Sequence, residues 1–243
     1  MMDTLHDKVV LLTGGGGGIG RAIAETLARQ KMKIILLGGK SREKLAETAG
    51  IAGQYAPVEI IPGDLTDPEF MRCAVEKAAG IFGGTDILIN NAGVAQSTRF
   101  EDVSAEEFDR IMNINFRVPF FLTRQVLPHL KRSGHATIIN IASVVSHAGY
   151  PLQSVYTASK HALLGFTKSI AREYWQENIR VHAICPGGVY TDMVKISRPD
   201  LSPQGMIQPQ EIAQIVLFFL QNRGNAVIDE ILVHRVNKEP FTV

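Results

Sequence analysis

TGGGGGIG, Thr13 to Gly20, sets five consecutive glycines between an apolar run, VVLL (Val9 to Leu12), and an amphipathic one, RAIAETLARQ (Arg21 to Gln30). Glycine loses more backbone freedom on folding than any other residue, so a run of five needs a reason. The apolar run reads as a short buried strand and the amphipathic one as a helix. A strand, a glycine turn and a helix form a unit that holds a nucleotide pyrophosphate. The glycines remove Cβ atoms that would block the phosphates, and the helix start offers free N–H groups. Two registers fit: Gly15, Gly17 and Gly20 satisfy G-x-G-x-x-G, while Gly14, Gly18 and Gly20 satisfy G-x-x-x-G-x-G. The competing reading is a flexible turn without a ligand.

Outward from that stretch, short apolar runs alternate with helical patterns. The strand-like runs are 9–13, 34–37, 58–62, 86–90, 137–143 and 180–186, with a weaker one at 230–233. Helical patterns cover 21–30, about 42–50, 68–82, one long stretch from Ser104 to about Lys131, Ser154 to about Gln176, and Pro209 to Gln221. This rhythm predicts an α/β fold: a doubly wound parallel sheet of about seven strands, with helices on both faces. No linker or repeat divides the chain, so residues 1–243 read as one Rossmann-fold domain. KISRPDLSPQG (195–205), rich in Pro and Ser, reads as a loop over the site.

The totals narrow the function. A formal net charge of +1 with no long charged block argues against a nucleic-acid or membrane-surface role. Cys73 and Cys185 lie far apart and form no CxxC, which points to a reducing compartment rather than a disulfide framework. The start, MMDTLHDK, has no apolar signal core, and IVLFFL (215–220) is too short to span a bilayer. The expectation is a cytoplasmic protein. No HxxxH, HExxH or Cys/His cluster in the sequence suggests a metal.

Where the second strand ends, an acidic residue would accept from a ribose 2′-hydroxyl and a basic one would accommodate a 2′-phosphate. Here Gly38 and Gly39 are followed by Lys40, Ser41 and Arg42, with no Asp or Glu at the tip. That favours NADP(H), contacted by Lys40 and Ser41, with NAD(H) as the alternative; the bland reading is an exposed lysine at a helix start. Asp64, with Leu65 beside it, follows the third strand and is placed to accept from an adenine amine, while Asp67 reads as a helix cap.

YTASK puts Tyr156 and Lys160 four residues apart on one helix face. A phenol with a pKa of about 10 exchanges protons poorly at neutral pH unless a nearby cation lowers it. Alone, such a pair is common on surface helices. Ser143, however, ends a strand 13 residues before Tyr156, where ligands of parallel sheets sit. NNAG (90–93) and PGGVYTD (186–192) follow strands at the same edge.

The ordered set TGGGGGIG, DLTD (64–67), NNAG, Asn115 in MNINF, Ser143 in NIAS, YTASK and PGGVYTDM (186–193) resembles the short-chain dehydrogenases/reductases over about residues 8–193. The resemblance implies carbonyl/alcohol redox chemistry. Tyr156 would be the general acid in reduction, Ser143 would polarise the carbonyl, and Lys160 would hold the nicotinamide ribose. Asn115 would hold a water linking Lys160 to solvent; otherwise it is a tolerated polar residue on an exposed helix face. Gly14, Gly16, Gly17, Gly18, Ile19 and Gly20 would cradle the phosphates. Asn91, Ala92 and Gly93 would line the ribose, and Pro186, Gly187, Val189 and Thr191 the nicotinamide. Candidate substrate contacts, besides Ser143 and Tyr156, are Val145, His147, Gln153 and Met193; Cys185 reads as a small buried residue.

The resemblance thins at the end, where NAVIDEILVHRVNKEPFTV (225–243) replaces the T-G-x-x-x-x-V-D-G-G usual in many relatives. Phe116, Phe120, Phe121, Leu122, Leu127 and Leu130 make a broad apolar arc, divided between core and a helix–helix interface of a homodimer or homotetramer. The reading favoured is an NADP(H)-dependent reductase of a ketone or 3-oxoacyl thioester. The alternatives are an NAD(P)-dependent dehydrogenase of a sugar alcohol or hydroxy acid, and a non-catalytic nucleotide sensor on the same fold.

Overall fold

The computed structural model describes residues 5–39, 41–197 and 202–239. Its strands are β1 (Val9–Thr13), β2 (Lys33–Leu37), β3 (Val58–Ile61), β4 (Ile87–Asn90), β5 (Thr137–Ile141), β6 (Arg180–Pro186) and β7 (Glu230–Val233). They form one parallel sheet in the order β3-β2-β1-β4-β5-β6-β7. The order reverses between β1 and β4, and there the carboxyl ends of two strands leave a crevice.

The strand sequences explain the layering. β1 and β5 are buried at every position, as a parallel sheet covered on both faces requires. Successive residues point to opposite faces. Val10 and Leu12 pack with Ile23, Leu27, Val216 and Leu220, while Val9 and Leu11 pack with Met71, Val75, Leu122 and Val126. The first layer comes from α1 (Gly18–Arg29), α2 (Arg42–Ala52) and α8 (Pro209–Gln221). The second comes from α3 (Pro68–Phe82), α5 (Val118–Leu130) and α6 (Ser154–Tyr174). Asp67 caps α3 as the sequence predicts, accepting from Glu69 N at 2.9 Å, and Pro68 sits at the first turn. α8 starts with Pro209 inside a capping box made by Gln208 and Glu211.

Three elements depart from the sequence pattern. The stretch expected as one helix from Ser104 to Lys131 is α4 (Ala105–Met112), a π-helical turn (Asn113–Arg117) and α5. The extra residue in that turn buries Asn115 completely, which overturns the exposed-face alternative. β5 stops at Ile141, and Ser143 instead caps a 3-10 turn at Val144–Ser146. The presumed loop 195–205 begins inside α7 (Asp192–Ser197), and its residues 198–201 lie outside the described ones.

The aromatic arc divides between core and surface. Leu122 and Leu130 are core, and Phe121 and Leu127 pack against it. Phe120 is 38% exposed, its ring 6.0 Å from Phe116 and 5.1 Å from Phe166 on α6. Among the described residues no helix is long and apolar enough to cross a membrane.

Candidate active site

A cleft of about 330 Å³ opens at the crevice between β1 and β4. Its floor is the glycine loop, and the backbone decides the register. Gly14 and Gly18 lie at φ of +69° and +50°, and a Cβ on Gly20 would sit 2.1 Å from the Gly14 carbonyl oxygen. The spacing of Gly14, Gly18 and Gly20 is therefore the structural one. Gly20 does not border the cleft; it lets α1 close against the loop, whereas Gly14, Gly16, Gly17, Gly18 and Ile19 line it.

Gly17, at the N-cap of α1, offers no side-chain cap, and a Cβ there would meet nothing within 4 Å. The first-turn N–H groups thus face open cleft, the arrangement that favours a phosphate. The loop is pinned from β4. Thr13 Oγ1 accepts from Asn91 N (3.1 Å) and Ala92 N (3.0 Å), and Asn91 Nδ2 donates to the carbonyls of Thr13 (3.0 Å) and Gly14 (3.1 Å). Asn91, Ala92, Gly93, Pro186, Gly187, Val189 and Thr191 all line the same cleft. Its size and its bare helix start fit a nicotinamide dinucleotide.

Ser143, Tyr156 and Lys160 line the same cleft. The Tyr156 phenol stands above its ordinary value because burial disfavours its anion; the Ser143 hydroxyl pulls the other way. Burial lowers the Lys160 ammonium to about 8, against the nearby Cys185 sulfur. Lys160 Nζ donates to the Ile141 carbonyl at 2.8 Å and lies 5.9 Å from the Tyr156 ring centre. The expected depression of Tyr156 by Lys160 is therefore not met in this arrangement: the cation is held by a carbonyl and desolvation prevails.

Asn115 does not face Lys160 across a helix surface. Its Oδ1 accepts from Val94 N (2.8 Å), and its Nδ2 donates to Val94 O (2.9 Å) and Ser159 Oγ (3.0 Å). It clamps the segment after β4 to α6. A Cβ on Gly93 would lie 3.4 Å from Asn115 Oδ1 and 3.7 Å from Lys160 Nζ, so Gly93 separates the two side chains.

The adenine-end residues are not gathered at this cleft. Ser41 caps α2, accepting from Lys44 N at 3.3 Å. Asp64 accepts from Thr66 N (2.9 Å) and Thr66 Oγ1 (2.7 Å). Leu65 fills space under Gly38, where a Cβ would meet its Cδ1 at 2.5 Å, and borders a different depression. Lys40 lies outside the described residues.

A second cavity of about 130 Å³ adjoins Ser143 and Tyr156. Val145, Gln153 and Met193 line it as expected. His147 does not, because it is paired with Glu230. Burial pushes the Glu230 carboxyl up, but hydrogen bonds from His147 and Cys185 outweigh that and hold it below the usual range. The fold therefore brings His147, Cys185 and Glu230 together although no sequence spacing announces them; their ligand atoms lie within 4.8 Å of one another.

Sequence reading missed four features. Lys44 borders the cleft one turn into α2. Gln96, 2% exposed, accepts through Oε1 from Val155 N (2.9 Å) and Tyr156 N (3.2 Å), fixing the start of α6. A buried chain joins Asn90 Nδ2 to Asn140 Oδ1 (2.8 Å) and Asn140 Nδ2 to Thr167 Oγ1 (2.8 Å), tying β4 and β5 to α6. Tail residues His234, Arg235 and Lys238 reach the second cavity. The paired asparagines NN (90–91) and the polar threonine in a helix interior are the signals that were available.

Comparison with known proteins agrees with this geometry. The family model for short chain dehydrogenases matches residues 8–202. D-beta-hydroxybutyrate dehydrogenase of Rhizobium meliloti is 37% identical over 213 residues, 86% of this chain and 83% of that protein. A 3-oxoacyl-(acyl-carrier-protein) reductase of Thermotoga maritima is 32% identical over 242 residues, 94% of this chain and 96% of that one. The crystal structure of levodione reductase superposes with a TM-score of 0.87 at 31% identity, covering 95% of this chain and 97% of its own.

Proposed function

This chain belongs to the short-chain dehydrogenase family, and from that premise we propose that it reduces a ketone to a secondary alcohol with NADP(H), Tyr156 being the general acid. At the coarser level it is an oxidoreductase acting on hydroxyl or carbonyl groups. The observation that carries the finer reading is convergence: Ser143, Tyr156 and Lys160 line the same cleft as the uncapped start of α1.

A bound nicotinamide dinucleotide supplies the hydride. Ser143 donates a hydrogen bond to the carbonyl oxygen and polarises it. Tyr156, kept protonated by burial, releases its proton to that oxygen as negative charge develops there. Lys160, whose ammonium is held by the Ile141 carbonyl, would hold the ribose hydroxyls of that nucleotide. Asn115 and Gln96 position these groups by fixing both ends of the turn that carries Tyr156.

The preference for NADP(H) rests on Lys40 and on the missing acid at the tip of β2. The carbonyl reduced is either a 3-oxoacyl thioester or a small oxo compound, the hydroxy compound being the substrate of the reverse reaction, and the 130 Å³ of the second cavity favours the smaller one. The reading includes a cytoplasmic homodimer or homotetramer, supported by the exposed Phe120 beside Phe116 and Phe166.

The test is oxidation of NADPH and NADH by the purified protein with acetoacetyl-CoA, simple ketones, 3-oxo acids and sugars. Turnover that prefers NADPH, and a Lys40→Ala variant that weakens NADPH far more than NADH, are the expected results. Equal losses for the two nucleotides would remove the phosphate assignment. Silence across the panel would leave the chain a nucleotide-binding protein without catalysis.

A further inference from the structure

The atypical tail does something specific at the second cavity. β7 carries the chain past the site, and the residues after it form a tight turn in which Lys238 N donates to Arg235 O at 3.0 Å. Positions i and i+3 of such a turn lie close together, so two cations share one side. Both line the cavity with His234, and among the described residues no Asp or Glu lines it. Arg235 and Lys238 are half-buried, and neither is ion-paired to a carboxylate among the described residues. Among the described residues Lys238 Nζ reaches the Tyr150 hydroxyl, at 3.5 Å, and lies 5.6 Å from that ring's centre. The Arg235 stem lies over Gly188, where a Cβ would come within 3.3 Å of its Cδ.

Two half-buried cations with no counter-charge among the described residues are costly unless an anion completes them. We propose that Arg235 and Lys238 bind the carboxylate of a short oxo acid whose ketone lies against Ser143 and Tyr156. This deepens the reductase reading and rests on it. Cavity size selects the kind of anion. About 130 Å³, shared with Ser143 and Tyr156, admits only a few substrate atoms between the ketone and the anion. A carboxylate one or two carbons from the ketone meets that limit. The phosphates of a coenzyme A thioester are separated from its carbonyl by the whole pantetheine arm and would lie outside. The tail also lies beyond the 8–202 stretch that the family model matches.

The experiment compares 3-oxobutyrate, its methyl ester and 3-oxobutyryl-CoA as substrates of the wild-type protein, of Lys238→Met and of the double variant Arg235→Gln/Lys238→Met. Charge-assisted hydrogen bonds to one carboxylate predict that wild type prefers the acid over the ester in kcat/KM by at least about tenfold. The preference should fall partly in Lys238→Met, nearly to unity in the double variant, and survive in Lys238→Arg. An ester reduced as well as the acid, or an acid preference untouched by the double variant, overturns the proposal while leaving a working reductase. Loss confined to the thioester would move the anion to a phosphate and overturn it as well. If no carbonyl is reduced by either nucleotide, the reductase reading itself fails. Calorimetric binding of 3-oxobutyrate to the nucleotide complex then decides: tenfold weaker binding in the double variant supports the carboxylate site, and equal or absent binding overturns it.

Discussion

The glycine loop under the cleft and the tail wall of the second cavity are built to different tolerances. At Gly14 and Gly20 of the glycine loop the space a Cβ would need is taken by main chain. The Gly14 carbonyl oxygen would be 2.1 Å from a Cβ on Gly20, and Ala92 Cα would be 2.8 Å from one on Gly14. On the tail side, a Cβ at Gly188 would meet Arg235 Cδ at 3.3 Å and Met206 Cε at 3.4 Å, both on flexible side chains. The first wall cannot yield without moving a strand or a helix; the second yields by a rotamer change. Binding of the invariant part of a ligand suits the first, and selection among substrates suits the second.

The largest expected effect breaks the rigid wall. Gly20→Ala should cost about 3 kcal/mol or more in urea unfolding and abolish nucleotide binding, because overpacking against backbone has no easy relief. Gly17→Ala is the control on the same loop. Its Cβ meets nothing in the protein, so stability should fall by about 1 kcal/mol or less while nucleotide affinity drops. A stable Gly20→Ala protein that binds nucleotide would erase the distinction.

Next comes the polar chain behind that wall. Asn140→Leu strips a partner from both Asn90 and Thr167, all three buried, and should cost roughly 2–3 kcal/mol in chemical denaturation. A change within the error of the measurement would show that the chain contributes nothing to holding β4 and β5 in register with α6.

The tail side has its own anchor, readable through pH. His182 on β6 is 2% exposed, its ring 4.3 Å from that of Phe219, and its Nδ1 lies 2.7 Å from the Ile228 carbonyl oxygen just before β7. Burial lowers its pKa to about 4, from 6.5. The folded protein thus keeps His182 neutral where the unfolded chain takes up a proton, and stability falls as pH drops from about 6.5 towards 4. At pH 5 the loss relative to pH 7 should be about 2 kcal/mol from this residue. It is read as the difference between wild type and His182→Phe; parallel pH curves for the two proteins would contradict it. The smallest effect is Gly188→Ala, with under about 1 kcal/mol of stability lost but a several-fold change in the preference for acid over ester as Arg235 shifts. An unchanged preference would separate Gly188 from the seating of Arg235.

The same contrast explains what the sequence could say. The parallel sheet, its helices on both faces and the meeting of Ser143, Tyr156 and Lys160 were legible because each depends on local patterns: apolar runs, turn glycines, and strand ends in chain order. The π turn at Asn113–Arg117 was not, since its helical periodicity looks continuous and only the long-range bonds of Asn115 to Val94 reveal the extra residue. Lys160 against Tyr156 was misjudged because spacing gives a shared helix face but not which carbonyl the ammonium finds. His147 was placed at the substrate for want of any signal tying it to Glu230, 83 residues away. The basic tail was visible as a departure from a familiar ending, yet nothing local said that it folds back over Gly188.

The most direct test of the central claim is a Tyr156→Phe variant measured for both turnover and nucleotide binding. If Tyr156 supplies the proton, carbonyl reduction should fall by at least about three orders of magnitude, while the dissociation constant for NADPH stays within about threefold of wild type. Turnover near the wild-type rate, with nucleotide bound as before, would take Tyr156 out of the chemistry and with it the mechanism proposed for this site.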